Sequence, residues 1–522
     1  MGETRCFFSS PPPLSVMDLL CTPVAISLAL VVLALLAIRS HARKRLRSSE
    51  MTKRYHPVVT TFLHALVNFH RLHDFITEFA YKHKTFRVLN LFVNYVITVD
   101  PANLEYILKT NFANYGRGLY NYEILTDVLG DGIFAVDGEK WIHQRKLSSY
   151  EISTKVVKDF SNGVFKTNAV KLAGIISKAA TCGQVIEIQD LIMKAGFDSV
   201  VKILLGMEVD TMYGTNEEGT RFAHAFDEAN KLTLHRFVDF SWKIKRFLNI
   251  GSEAKLRNDI KLMDQFIYKL INRKIETSHN SSEDELPALK KGDMISRLLE
   301  VRGNDPKYLR DLILSLIVAG RDTTASTITW VIYMLCKHPH MQEKVAKEVR
   351  EAANLKDDSS IVELADGLNE EALNKMQYLY AALAETLRLC PSVPLNAKIC
   401  SSDDTWPDGF SVKKGDMVAY NAYSMGRMTY LWGDDAQEFR PERWLNENGV
   451  FQEESPFKFI AFSAGPRICL GKDFAHREMF IFSAVLLGSF KFKLKEENKV
   501  ARYTTKVTLH IDGGLHVHAS LR

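Results

Sequence analysis

The stretch Phe462-Ser463-Ala464-Gly465-Pro466-Arg467-Ile468-Cys469-Leu470-Gly471 surrounds one cysteine with residues suited to ligating a haem iron through its thiolate. A thiolate in that position pushes electron density onto the metal and favours O–O cleavage. Phe462, seven residues before the sulfur, can pack under a macrocycle. Gly465 permits a tight turn, and Arg467 can reach a haem carboxylate. Gly471 is expected to allow close approach of a helix beginning there, whose N–H groups and dipole would tune the sulfur. A lone cysteine is ordinarily a small buried hydrophobe, and the four fitting flanking positions distinguish this one.

Three upstream stretches carry further polar chemistry. Leu314 to Thr324 contains Ala319-Gly320-Arg321-Asp322-Thr323-Thr324 inside an apolar helical pattern running from about Tyr308 to Lys337. Small Ala319 and Gly320 would leave room for O2, and Asp322 with Thr323 could deliver protons to it. Taken alone, Thr323 is as readily a mid-helix residue bonding its own i−4 carbonyl. Glu385-Thr386-Leu387-Arg388 puts an acid and a base on one helical face, where they can pair. Trp141 and Arg145 lie one helical turn apart, and both could donate to a haem carboxylate.

The order W-x-x-x-R, A-G-x-D-T-T, E-x-x-R and F-x-x-G-x-R-x-C-x-G resembles that of the cytochromes P450. The resemblance implies haem b with Cys469 as axial ligand, bound O2, and electrons from NADPH through a membrane-bound flavoprotein reductase. It also implies that Glu385, Arg388 and Arg443 of Phe439-Arg440-Pro441-Glu442-Arg443-Trp444 form a buried network behind the haem loop. Thr110 to Gly118, Gly132 to Lys146 and Tyr423 to Met428 narrow the likeness to plant hydroxylases acting on fatty-acid chain ends for cutin, suberin and pollen-wall lipids. Long-chain fatty acids hydroxylated at or near the ω carbon are the implied substrates. Phe112, Tyr115, Leu119, Tyr120, Ile317, Val318, Val393 and Leu395 are candidate channel residues, with Arg117 or Lys398 to bind the carboxylate. Asn396 stands where many relatives carry an acid. Lys472, His476 and Arg477 could present positive charge to the reductase. The residues leave open a sterol or terpenoid hydroxylase, a haem-thiolate hydroperoxide isomerase or dehydratase, and a non-catalytic membrane protein that binds haem or lipid.

The elements that must position these residues form a mainly α fold with small β-sheets. Residues 58–522 are expected to make one haem domain, because no linker divides them. Phe86 to Asp100 reads as paired strands, Gly409 to Ala422 as strand and turn, and Ser278 to Asp284 as a surface loop. With 67 Lys+Arg against 62 Asp+Glu, the net charge of +5 is too small and dispersed to suggest nucleic acid. Positive charge gathers only at Arg39, Arg43, Lys44, Arg45 and Arg47, directly after the apolar run Leu19 to Ile38. That run is long enough to span a bilayer. Residues 1–18 are therefore expected in the lumen, 19–38 as a retained anchor in the endoplasmic reticulum membrane, and 39–57 as a basic linker, with the catalytic domain cytosolic. Seven cysteines without C-x-x-C spacing suggest neither a disulfide framework nor a zinc site.

Overall fold

The computed structural model describes residues 58–89, 94–280, 293–297, 305–356 and 359–522. The expected anchor and linker lie outside these residues, and no described helix is long and apolar enough to cross a membrane.

The helices that build the site are α1 (Leu72–Ala80), α2 (Gly118–Leu129), α3 (Gly138–Ser153), α4 (Lys155–Thr181), α5 (Ile188–Leu205), α6 (Glu217–His235), α7 (Gly251–Asn280), α8 (Pro306–Ile317), α9 (Thr323–Lys337), α10 (Gln377–Leu389) and α11 (Lys472–Ser489). Local chemistry sets several boundaries. Asp305 caps α8 by accepting from the Lys307 and Tyr308 amides, with Pro306 opening the helix. Glu187 caps α5, which ends at left-handed Gly206. α7 reaches Asn280, so the segment expected as a loop from Ser278 begins as helix. The rest of that segment, from residue 281, lies outside the described residues.

A six-stranded sheet flanks the helices, formed by β1 (Val58–Thr61), β2 (Thr85–Leu89), β3 (Tyr95–Thr98), β4 (Tyr115–Gly116), β5 (Leu395–Cys400) and β6 (Met417–Asn421) in the order β1-β2-β3-β6-β5-β4. The strands expected within Phe86 to Asp100 are β2 and β3, paired antiparallel with Phe86 opposite Ile97. The Gly409 to Ala422 segment supplies β6 and, at Ser411–Val412, one strand of a small two-stranded sheet.

One apolar core joins α4, α5, α9, α10 and α11, and a second joins α2, α5, α6, α7 and α8. Because α5 contributes to both, and α8 and α9 fall in different cores, the α8–α9 joint is held from two sides. A third core fills the sheet. Between them lies a cavity of about 630 Å³ reached by the Cys469 loop.

Candidate active site

Cys469 ends a loop closed by its own amide, which donates to the Phe462 carbonyl at 2.8 Å. Gly465 has φ +67°, and a Cβ there would meet the Leu108 carbonyl oxygen at 1.9 Å, so only glycine lets the loop pack this closely. Ser463 also takes a positive φ, of 59°. The Phe462 ring meets His476 edge to face, with centroids 4.8 Å apart. Gly471 precedes α11, but a Cβ there would meet no protein atom within 4 Å. The close helix approach expected at this glycine does not occur.

The Cys469 side chain is exposed to the cavity. Burial raises its thiol pKa, opposed by the Gly471 amide, which hydrogen-bonds the sulfur, and by the charge of Arg145. Arg145 lines the same cavity and donates to the Ile468 carbonyl at 2.6 Å. A positively charged iron would hold the sulfur as the thiolate against the cost of burial.

Around Trp141 the cavity wall carries more positive charge than the protein neutralises. Arg467 stacks over the Trp141 ring at 4.3 Å and donates to Asp137 at 2.6 Å. Arg117 and Lys398 lie close enough to add their charges to its field. Burial, then repulsion from Arg117 and Arg467, lowers the Lys398 ammonium to about 6. Burial and the Arg117 charge lower Arg467 to about 10. Lys398 Nζ and the Nε atoms of Arg117 and Arg467 are buried without partners. Three under-neutralised cations beside a free sulfur fit a cofactor that carries two carboxylates and a metal. Arg117 and Lys398, expected at a channel mouth, thus line the cavity together with Arg467, and all three feel the charge of Asp137.

The helix expected from Tyr308 to Lys337 is interrupted. α8 gives way at Val318–Asp322 to one turn of π-helix before α9 begins, a feature found often at functional sites. Gly320 lines the cavity, and a Cβ there would come within 2.9 Å of Val200 on α5. The glycine thus lets the two helices approach, besides keeping the cavity wall small. The Thr323 hydroxyl donates to the Ala319 carbonyl at 2.6 Å, and Thr323 lines the cavity.

Asp322 is not among the cavity-lining residues. Arg321 donates to it at 3.3 Å and also engages Asp227 on α6. Burial lifts the Asp322 carboxyl to about 6, with Arg321 opposing the shift and Asp227 adding to it. The acid and the alcohol are neighbours in sequence but face different surroundings.

Behind the cysteine loop, Arg388 donates twice to Glu385, at 2.7 Å each, and both side chains are fully buried. Arg443 adds a 3.4 Å contact to Glu385, and the Trp444 indole donates to it at 2.9 Å. Arg388 also donates to the carbonyls of Gly426, Ala436 and Glu438.

A cytochrome P450 family model matches residues 52–517. This chain is a cytochrome P450. It is 48% identical over 485 residues to cytochrome P450 704C1 of Pinus taeda, covering 90% of this chain and 92% of that protein. Cytochrome P450 704B1 of Arabidopsis thaliana is 42% identical, over 89% of this chain and 94% of its own length. Cytochrome P450 94A2 of Vicia sativa is 33% identical, over 90% of each. The protein is accordingly a haem-thiolate monooxygenase, of a family whose members generally take NADPH-derived electrons from a reductase.

Of the eight candidate channel residues in this P450, only Val318, Val393 and Leu395 line the cavity. Phe112 packs on the Trp141 ring with centroids 5.7 Å apart. Tyr115 is fully buried, donates to Asp404 at 2.6 Å and accepts from the Trp406 indole. Leu119 is 71% exposed. Tyr120 packs against Phe237, and Ile317 belongs to the α5–α8 core. The lining comes instead from Asn121, Leu125 and Val128 of α2 and from Leu316 of α8. Spacing of i, i+4 and i+7 on α2 was the available signal. Choosing Ile317 over Leu316 turned the face by one residue, about 100°.

The expected reductase patch is also altered. His476 is half-buried beside Tyr380 and lowered to about 4 by desolvation, so it carries no charge near neutral pH. Lys472 and Arg477 are paired with Glu453 and Glu370.

Proposed function

We propose that this P450 hydroxylates long-chain fatty acids at or near the ω carbon, with Cys469 as the iron ligand. The observation that carries the reading is the cavity, whose walls are apolar along α2, the α8–α9 joint and Val393-Pro394-Leu395. Such a lining suits a hydrocarbon chain, and the motif resemblance points to the same substrate class. Haem, when bound, supplies oxygen activation. Trp141, Arg145, Arg467, Arg117 and Lys398 would hold its carboxylates, Phe462 would pack beneath it, and Gly465 shapes the loop presenting the sulfur. Thr323 offers a hydroxyl oxygen to water at the cavity wall. Asp322, with a pKa near 6, can store a proton beside it, and Arg321, itself paired with Asp227, holds that carboxyl in place. Glu385, Arg388 and Arg443 would hold the loop's geometry rather than take part in chemistry.

We place residues 1–18 in the lumen, 19–38 as a membrane anchor and 39–57 as a linker, with the haem domain on the cytosolic face of the endoplasmic reticulum beside a flavoprotein reductase. The Trp242–Leu248 helix between α6 and α7 supports membrane contact: Ile244, Phe247, Leu248 and Ile250 are exposed among Lys243, Lys245 and Arg246. The test is turnover in microsomes with a plant reductase, NADPH and a fatty-acid series, locating the new hydroxyl by mass spectrometry. Terminal hydroxylation that disappears in Cys469→Ala is expected. No product from any fatty acid, despite an intact reduced-CO thiolate spectrum, would overturn the substrate assignment.

A further inference from the structure

We propose that Lys506 anchors the carboxylate of the substrate, a role that rests on the fatty-acid reading above. Five cationic side chains line the cavity: Arg117, Arg145, Lys398, Arg467 and Lys506. Arg117, Lys398 and Arg467 act on one another and share Asp137, and Arg145 bonds the loop beside Cys469. Lys506 belongs to neither group. Its charge is felt by Asp322 and His510 instead.

The segment around Lys506 is pinned at both ends. Three residues onward, the Leu509 carbonyl accepts from Ser326 and the Trp330 indole on α9, and the Leu509 amide donates to Ser392. One residue back, the Thr505 hydroxyl donates to the Phe69 carbonyl at 2.7 Å. Tyr503 accepts from the His73 and Asp74 amides at the start of α1. Lys506 is thereby held between α9 and a rim where Leu66, Phe69 and Leu72 line the cavity.

Among the described residues Lys506 has no hydrogen-bond or ion-pair partner, whereas Asp322 and Asp227 are both engaged by Arg321. A half-buried ammonium with no acid of its own, on an apolar wall, gains most from a carboxylate delivered with a hydrocarbon tail. The acid end would stay at Lys506 while the chain follows the apolar wall towards Cys469. The cluster at Trp141 cannot serve this purpose, because the cofactor's carboxylates claim it.

The experiment measures equilibrium binding of hexadecanoic acid and hexadecan-1-ol to the holoenzyme, wild type against Lys506→Met and Lys506→Arg, by the haem absorbance change on ligand entry. Loss of a charge-assisted hydrogen bond predicts about 10- to 100-fold weaker acid binding in Lys506→Met. Alcohol binding should stay within about twofold, and Lys506→Arg should retain the acid. Equal weakening of both ligands, or no weakening of either, overturns the proposal while leaving the substrate class standing. A wild type that binds the alcohol and not the acid overturns both.

Discussion

Arg388 and Lys398 are equally buried, each 2% exposed, yet the protein completes the environment of one and not the other. Arg388 meets a carboxylate and three carbonyls, and an indole and a second arginine complete Glu385. Lys398 has an orphaned Nζ and two like-charged neighbours. A desolvated charge is tolerated when its partners come with the fold, and otherwise it must wait for a ligand that brings them. That difference is why we propose the Glu385 network as scaffold and the Trp141 cluster as the cofactor's seat. Arg321 is intermediate: it pairs with two carboxylates but keeps a buried Nε without a partner.

The largest effect should come from opening the completed region. Arg388→Met leaves Glu385 buried without its main counter-charge, at a cost of about 3–5 kcal/mol, so chemical denaturation should show little stable holoenzyme. Next is the intermediate pair. Asp322→Asn should slow turnover on the order of 100-fold if the carboxyl passes a proton. Wild-type turnover should fall as pH rises through about 6, and a pH–rate profile of the variant should lack that limb.

Lys398→Met should act in opposite directions on the two states. It removes a buried amine whose charged form has no counter-charge, so the haem-free chain should unfold at higher denaturant, while the holoenzyme should lose haem faster to an acceptor protein. The sign of the pH dependence follows from linkage. The folded Lys398 pKa, about 6, lies below its ordinary 10.5, so in that window the unfolded chain binds more protons. Stability of the haem-free protein should thus rise with pH from about 6 upwards, and Lys398→Met should flatten the rise. The smallest effect is expected at Glu478 on α11. Burial raises this carboxyl to about 8, so it is already neutral at pH 7, and Glu478→Gln should shift thermal unfolding only slightly, whereas an ionised Glu478 would make the same change costly.

Motifs whose members act through the local backbone were legible in the sequence. The Phe462–Gly471 spacing builds a loop that its own hydrogen bond closes, and Glu385 and Arg388 share a helical face wherever α10 is placed. Orientation was less legible. The same i, i+1 step that makes Asp322 and Thr323 adjacent also points them about 100° apart, and the π turn beside them has no clear signature in the letters. Tyr115 read as channel because aromatics line cavities, but its hydroxyl found Asp404, nearly three hundred residues downstream.

By itself, the sequence determined the family chemistry, the helical class and the cysteine at its centre, because each depends on residue types at short, fixed spacings. The tertiary structure alone decided which cations would be left short of counter-charge, where Asp322 faces, and that Lys506 stands apart from the Trp141 cluster. Burial and mutual repulsion depend on distances between segments far apart in the chain, and no local spacing specifies those.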